Sequence, residues 1–167
     1  MAVTGGLECA NDRLLRLMNK GITLASARRV LANFADAGIL VHAYLMYGFP
    51  TQTADEAVAA LRYVRDRFRE GTIRSAFFHR FALTVHSPIA RAPEKFGIEV
   101  TEPAARPTGR TFARNEIPYR EKGAPDWDRI GKGLRLALYN YMLGLGLDKP
   151  PAYWLGVRGR AKPHLVV

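Results

Sequence analysis

At 167 residues the chain is long enough for one domain, and its 48% apolar content excludes a disordered or collagen-like polymer. It holds 25 Lys/Arg against 15 Asp/Glu, a formal charge of +10. A single cysteine excludes an internal disulfide and any CxxC metal knuckle, and points to a reducing cytoplasm.

The opening MAVTGGLECAND has no basic stretch followed by an apolar one, so no secretory leader is expected. No apolar run reaches the roughly 18 to 20 residues of a membrane span. The nearest, around Leu134–Leu147, is broken by Arg135, Asn140 and two glycines. A soluble protein without membrane contact is the expectation.

In chain order, Asn11 or Asp12 caps a short helix through Leu14, Leu15 and Met18, stopped by Gly21. Thr23 caps a second helix with Ala27, Val30, Leu31 and Phe34 at helical spacing, ended by Gly38. Ile39–Tyr47 is rich in β-branched and aromatic residues and reads as a mostly buried strand. Gly48-Phe49-Pro50 breaks it, and Thr53 to Glu56 forms a capping box opening a third helix with Ala57, Leu61, Val64 and Phe68 inward. Ile73–Leu83 is the next strand. From Ser87 prolines punctuate an aperiodic stretch, including EPAARPTGR, which reads as loop. Asp126 caps a helix from Trp127 to about Leu143, with Ile130, Leu134, Leu138, Tyr141 and Met142 apolar. The basic end, from Tyr153, reads as loosely ordered.

Helix and strand in alternation with short joints mean βαβ units and a parallel sheet, in an open sheet or a piece of a barrel. By this reading the chain opens almost at a helix and holds two parallel strands, too few for a stable sheet. Further strands are expected from an N-terminal portion or from a partner.

Period two sets His42, Tyr44 and Met46 on one face of the first strand and the more apolar Val41, Ala43, Leu45 and Tyr47 on the other, toward helices. In the next strand Phe77, His79 and Phe81 oppose Phe78 and Arg80. His42 and His79 are candidates for acid–base work or substrate positioning, each balanced by a place as a satisfied core histidine. Asp55 and Glu56 are explained by helix capping. No phosphate loop, dinucleotide fingerprint or nucleophile elbow is present, and the four histidines lack metal-ligand spacing. Trp127, Tyr139 and Tyr141 read as core stripe rather than base-stacking platform. Residues 101–167 carry twelve Lys/Arg against six Asp/Glu. That suits either a solvated surface or a non-catalytic basic α/β module that binds nucleic acid or a partner protein.

Three segments add to this: Gly5–Gly21 (GGLECANDRLLRLMNKG), Ala37–Thr53 (AGILVHAYLMYGFPTQT) and Phe77–Ala90 (FFHRFALTVHSPIA). In order and spacing they resemble the later strands of radical S-adenosylmethionine enzymes, most closely those carrying a cobalamin-binding domain ahead of the radical barrel. GLRLALYNYMLGLGLDKP is similar to that group's C-terminal segment. The resemblance implies an α/β fold that is the C-terminal half of a (β/α) TIM-type barrel over residues 1–98, with a loop-rich and helical extension over 99–167. It implies that Glu8 meets the ribose of S-adenosylmethionine and Lys20 its methionine carboxylate, with Met46 and the backbone at Ala82 beside the adenine. Tyr44 stands where some relatives place an aspartate for the same cofactor. The Cys-x-x-x-Cys-x-x-Cys motif that holds the [4Fe–4S] cluster is absent from the sequence. Radical formation then needs an N-terminal half-barrel bearing those cysteines, from the same gene or a separate chain, and cobalamin belongs to the parent alone.

Overall fold

The computed structural model describes residues 1–101 and 115–156. The EPAARPTGR segment and the basic end from residue 157 lie outside the described residues.

The chain begins with a strand rather than a helix, which corrects the sequence reading. Strand β1 (Ala2–Glu8) pairs in parallel with β2 (Leu40–Tyr47), which pairs in parallel with β3 (Ser75–Arg80), in the order β1-β2-β3. Thr4-Gly5-Gly6 offers few side chains for a period-two pattern, so β1 owes its form to pairing with β2. Between the strands lie α1 (Asp12–Leu17), α2 (Leu24–Asp36) and α3 (Ala54–Arg69). Asn11, Thr23 and Thr53 cap them as expected, the last two with full capping boxes. β3 is shorter than Ile73–Leu83 because the chain turns away after Arg80.

The helical face of the sheet is apolar and covered. Leu7, Val41, Ala43, Leu45, Ala76 and Phe78 join Leu31 of α2 and Leu61 and Val64 of α3 in one core cluster. α5 (Trp127–Met142) closes that cluster with Ile130, Leu134 and Leu138, and packs against β3. Its approach is close: a Cβ at Gly131 would sit 2.2 Å from the Tyr47 hydroxyl, so only glycine fits. α6 (Pro151–Gly156) docks on α5 and α3 through Trp154, which is buried. This part of the basic end is therefore helical, contrary to the loose order expected of it.

The proline-rich stretch also holds more structure than its sequence shows. After the short helix α4 (Pro88–Arg91), β4 (Ile98–Val100) and β5 (Tyr119–Glu121) pair antiparallel. They cover a second core of Cys9, Leu14, Phe49, Leu83, Ile98 and Ile117. Cys9, Phe49 and Leu83 each follow a strand of the sheet, which puts this lobe at the carboxyl ends of β1, β2 and β3. Three helical positions differ from the sequence reading, Val30 of α2 among them at 51% exposed. Met142 is 41% and Tyr139 45% exposed, so neither joins Trp127 and Tyr141 in the core.

The described strands form an open sheet, with no closed barrel among them. Leu45 has no exposed surface, so Leu45→Ala removes buried methylenes and leaves a cavity. We expect it to cost about 2–5 kcal/mol, read as a lower urea midpoint at unchanged slope. Leu40→Ala, at a position 53% exposed, should stay within about 0.5 kcal/mol.

Candidate functional site

The opposite face of the sheet is open around Tyr44 and Phe77, and at its carboxyl end Met46 packs against the second core. Register alone arranges it. Thr4, His42 and Ser75 share one row, Gly6, Tyr44 and Phe77 the next, and Met46 pairs with His79. Tyr44 and Phe77 are each 47% exposed, large aromatics standing side by side on an uncovered surface. His42 Nδ1 lies 2.7 Å from Ser75 Oγ, and its ring meets Tyr44 edge-on at 5.0 Å. His42 is thus half-buried and held by a hydroxyl, rather than sealed in the core against a carbonyl. His79 sits on the same face toward the carboxyl end of β3, while the adjacent Arg80 donates to Asp128 at 2.7 Å.

The carboxyl rim gathers the polar groups. Glu8 ends β1 at a register shift, and its Oε1 lies 2.9 Å from where a Cβ on Gly6 would be. The carboxylate therefore folds back over the bare backbone of Gly6 on the open face. Lys20 Nζ pairs with the same oxygen at 2.8 Å. So the structure brings together Glu8 and Lys20, twelve residues apart in sequence, over Gly6, whose register partner is Tyr44. Ala82 lies past the end of β3, exposed, on the wall of a cavity of about 350 Å³ shared with Arg80, Tyr119, Glu121 and Trp127. It stands apart from the Glu8–Lys20 pair, on the β4–β5 side.

Backbone strain concentrates at the same rim. Among the described residues four that are not glycine have left-handed φ, and Glu8 (51°), Ala10 (42°) and Thr51 (71°) all follow or end β1 and β2. The fourth, Asn19 (55°), belongs to a residue type that tolerates this region. Strain of this kind persists only where surrounding contacts enforce it, and it favours binding sites.

At Thr51 those contacts are visible, and they were hidden in the sequence because the partners are 38 to 70 residues apart. Arg13 of α1 donates to both oxygens of Glu56 at 2.7 Å and to the Thr51 carbonyl at 2.9 Å. The Thr51 N–H donates to Glu121 at 2.7 Å. Gln52, buried, accepts the Gly48 N–H at 2.7 Å and closes the β2–α3 turn. Gly48 has φ 72° with the Trp127 ring 3.5 Å from any added Cβ, which explains glycine there. Only the acidic first turn of α3 announced Glu56, as a cap; its bond to Arg13 adds a second duty.

Charge at this junction follows from these contacts. Hydrogen bonds from Arg13 hold the Glu56 carboxyl below its usual range, more strongly than burial raises it. Cys9, fully buried beneath the lobe, has its thiol pushed up to about 12 by burial, with Glu8 and Glu56 adding to the effect and Arg13 opposing it. A thiol so protonated is a poor nucleophile and a poor metal ligand. Among the described residues no three His, Cys, Asp or Glu side chains converge as a metal site. No described helix is long and apolar enough to cross a membrane.

A stretch of 56 residues is 41% identical to part of an uncharacterized protein of Methanopyrus kandleri; it covers 34% of this chain and 11% of that protein's length. No family profile and no solved structure matches the chain.

Two outcomes test the junction. Because the folded Glu56 carboxyl lies below its unfolded value, the pair stabilises the protein above about pH 4 and ceases to do so as pH falls through the folded value. Glu56→Gln should flatten the acid limb of a plot of urea midpoint against pH. Cys9 should resist alkylation by iodoacetamide at pH 8 in the native protein and react within minutes in 6 M guanidinium, as mass spectrometry would show.

Proposed function

We propose that this chain is the second half of a radical S-adenosylmethionine barrel, inactive until a cluster-bearing first half joins it. The observation that carries the reading is the Glu8–Lys20 pair, 2.8 Å apart at the carboxyl rim beside an uncovered sheet face. Ligands of open α/β sheets bind outside the carboxyl ends of the strands, where these two residues stand.

The residues present fit the cofactor. A carboxylate accepts from both hydroxyls of a ribose, and Gly6 beneath it leaves backbone exposed for close approach. An ammonium at Lys20 matches a carboxylate. Met46 supplies an apolar, half-buried contact for adenine, while Ala82, on the β4–β5 side, lies away from the pair and is not part of this grip. They do not fit an iron–sulfur cluster: the single cysteine is buried and protonated. The cluster ligands therefore belong to the partner half, and no residue here is assigned to cobalamin. When bound together, cluster and cofactor supply a carbon-centred radical. What this chain contributes is grip and enclosure. Glu8 and Lys20 orient the adenosyl and amino-acid ends, and the row of Tyr44 and Phe77 excludes water from the reaction face. His42 and His79 project from that face as the substrate-contacting groups, His42 held in place by Ser75.

The edge of β1, unpaired among the described residues, and the groove of about 420 Å³ between β1 and α2, walled by Val3, Ile22 and Val30, suit a preceding strand and helix. This is the edge at which the first half would join.

Co-expression with a cysteine-bearing first half should let S-adenosylmethionine protect this chain from limited proteolysis, while the chain alone gains no protection. In the joined protein, Glu8→Ala and Lys20→Ala should each weaken cofactor binding about tenfold or more. Thermal midpoints should hardly change, since the pair is partly exposed. Unaltered affinity in both variants would remove the residue assignments.

A further inference from the structure

The cavity of about 350 Å³ beyond β3 takes no part in the Glu8–Lys20 arrangement. Arg80 to Leu83 line it as the chain leaves β3, Tyr119 and Glu121 come from β5, and Trp127 opens α5. It stands at the carboxyl end of a parallel strand, where open α/β sheets bind ligands, and its volume is that of a small-molecule site. Its lining divides into rings and charges. Phe81 meets Tyr119 edge-on at 5.9 Å, and the buried Trp127 adds an indole. Arg80 is the cation on the wall, while Glu121 and the exposed Glu116 are carboxylates.

Arg80 and Glu121 carry opposite charges on one cavity and are not paired with each other. Arg80 Nη1 donates to the exposed Asp128 at 2.7 Å, and Glu121 Oε1 accepts the Thr51 N–H at 2.7 Å. Among the described residues Nε and Nη2 of Arg80 and the second oxygen of Glu121 have no partner. Both charges reach the Tyr119 hydroxyl: burial raises its pKa, Arg80 opposes the rise and Glu121 adds to it. We propose that this cavity binds a free α-amino acid with an aromatic or large apolar side chain. Arg80 takes its carboxylate, Glu121 its ammonium, and the rings of Phe81, Tyr119 and Trp127 its side chain. A guanidinium matches a carboxylate with its forked N–H donors, and an ammonium donates to a carboxylate oxygen. Neither existing bond has to break, because the atoms assigned to the ligand are the ones left over. One cation against two carboxylates repels a phosphate or a dicarboxylate, whereas a ligand with its own positive charge restores the balance. The proposal draws nothing from the cofactor reading, so either can fail alone.

The experiment titrates the nitrogen-15-labelled chain with three probes: L-phenylalanine, 3-phenylpropanoate, which lacks the ammonium, and 2-phenylethylamine, which lacks the carboxylate. The Trp127 indole N–H, buried and without a partner among the described residues, is the reporter. The Trp154 indole, equally buried but packed on Tyr141 away from the cavity, is the control. The expected result is that L-phenylalanine moves the Trp127 signal and the Ala82 amide while Trp154 stays still. Each truncated probe should bind about fivefold or more weakly than L-phenylalanine, since both charged contacts are partly exposed. Arg80→Gln should weaken L-phenylalanine and 3-phenylpropanoate about fivefold and leave 2-phenylethylamine undiminished, which also shows that the variant is folded. Glu121→Gln, which keeps an oxygen for the Thr51 N–H, should do the converse. Equal affinity for all three probes overturns the amino-acid assignment. Absence of shifts at Trp127 and Ala82, or equal shifts at Trp154, overturns the site.

Discussion

Everything in this fold rests on a parallel sheet that buries one face and leaves the other bare. Parallel strands need crossover connections, and helices α2 and α3 supply them, so β1, β2 and β3 are sealed on the helical side by Leu45, Phe78, Leu61 and their neighbours. Parallel sheets of this sort are normally covered on both faces. The open face here carries Tyr44 and Phe77, each 47% exposed, where a two-layer protein would place charged groups. The asymmetry is the physical reason for reading the sheet as a wall of something larger.

The rim at the carboxyl ends is held by contacts that cross the chain. Arg13 ties α1 to the first turn of α3, Glu121 ties the β4–β5 pair to Thr51, and Gln52 closes the turn after β2. Cys9, Phe49 and Leu83 then share one core under that pair. All three segments that carry the family resemblance meet here, the first through Cys9 and Arg13, the second through Phe49 and Thr51, the third through Leu83. Part of what makes those segments alike is therefore structural: a turn, its cap and its clamp.

Elements with strong local chemistry were legible. Thr23 and Thr53 announce their helices through hydroxyl caps three residues ahead of a partner, and β2 announces itself through β-branched and aromatic residues, although only one of its faces is buried where a mostly buried strand is expected. β1 was not, because Gly5 and Gly6 carry no side chains to alternate and the strand exists by pairing with β2. β4 and β5 were hidden by length, three residues each, amid prolines. Of the site, the face that holds His42 and Tyr44 followed from period two. The Ser75 partner of His42 and the Arg13–Glu56 pair did not, since contacts between residues 33 and 43 positions apart leave no periodic trace.

The φ of 51° at Glu8 has a consequence for what variation this position can bear. Glycine would adopt that backbone without cost, while any side chain there is disfavoured by roughly 1 kcal/mol. Drift under selection for folding alone would erode the carboxylate toward glycine. A glutamate at such a place, like Ala10 and Thr51 on the same rim, is held there by its surroundings against that cost.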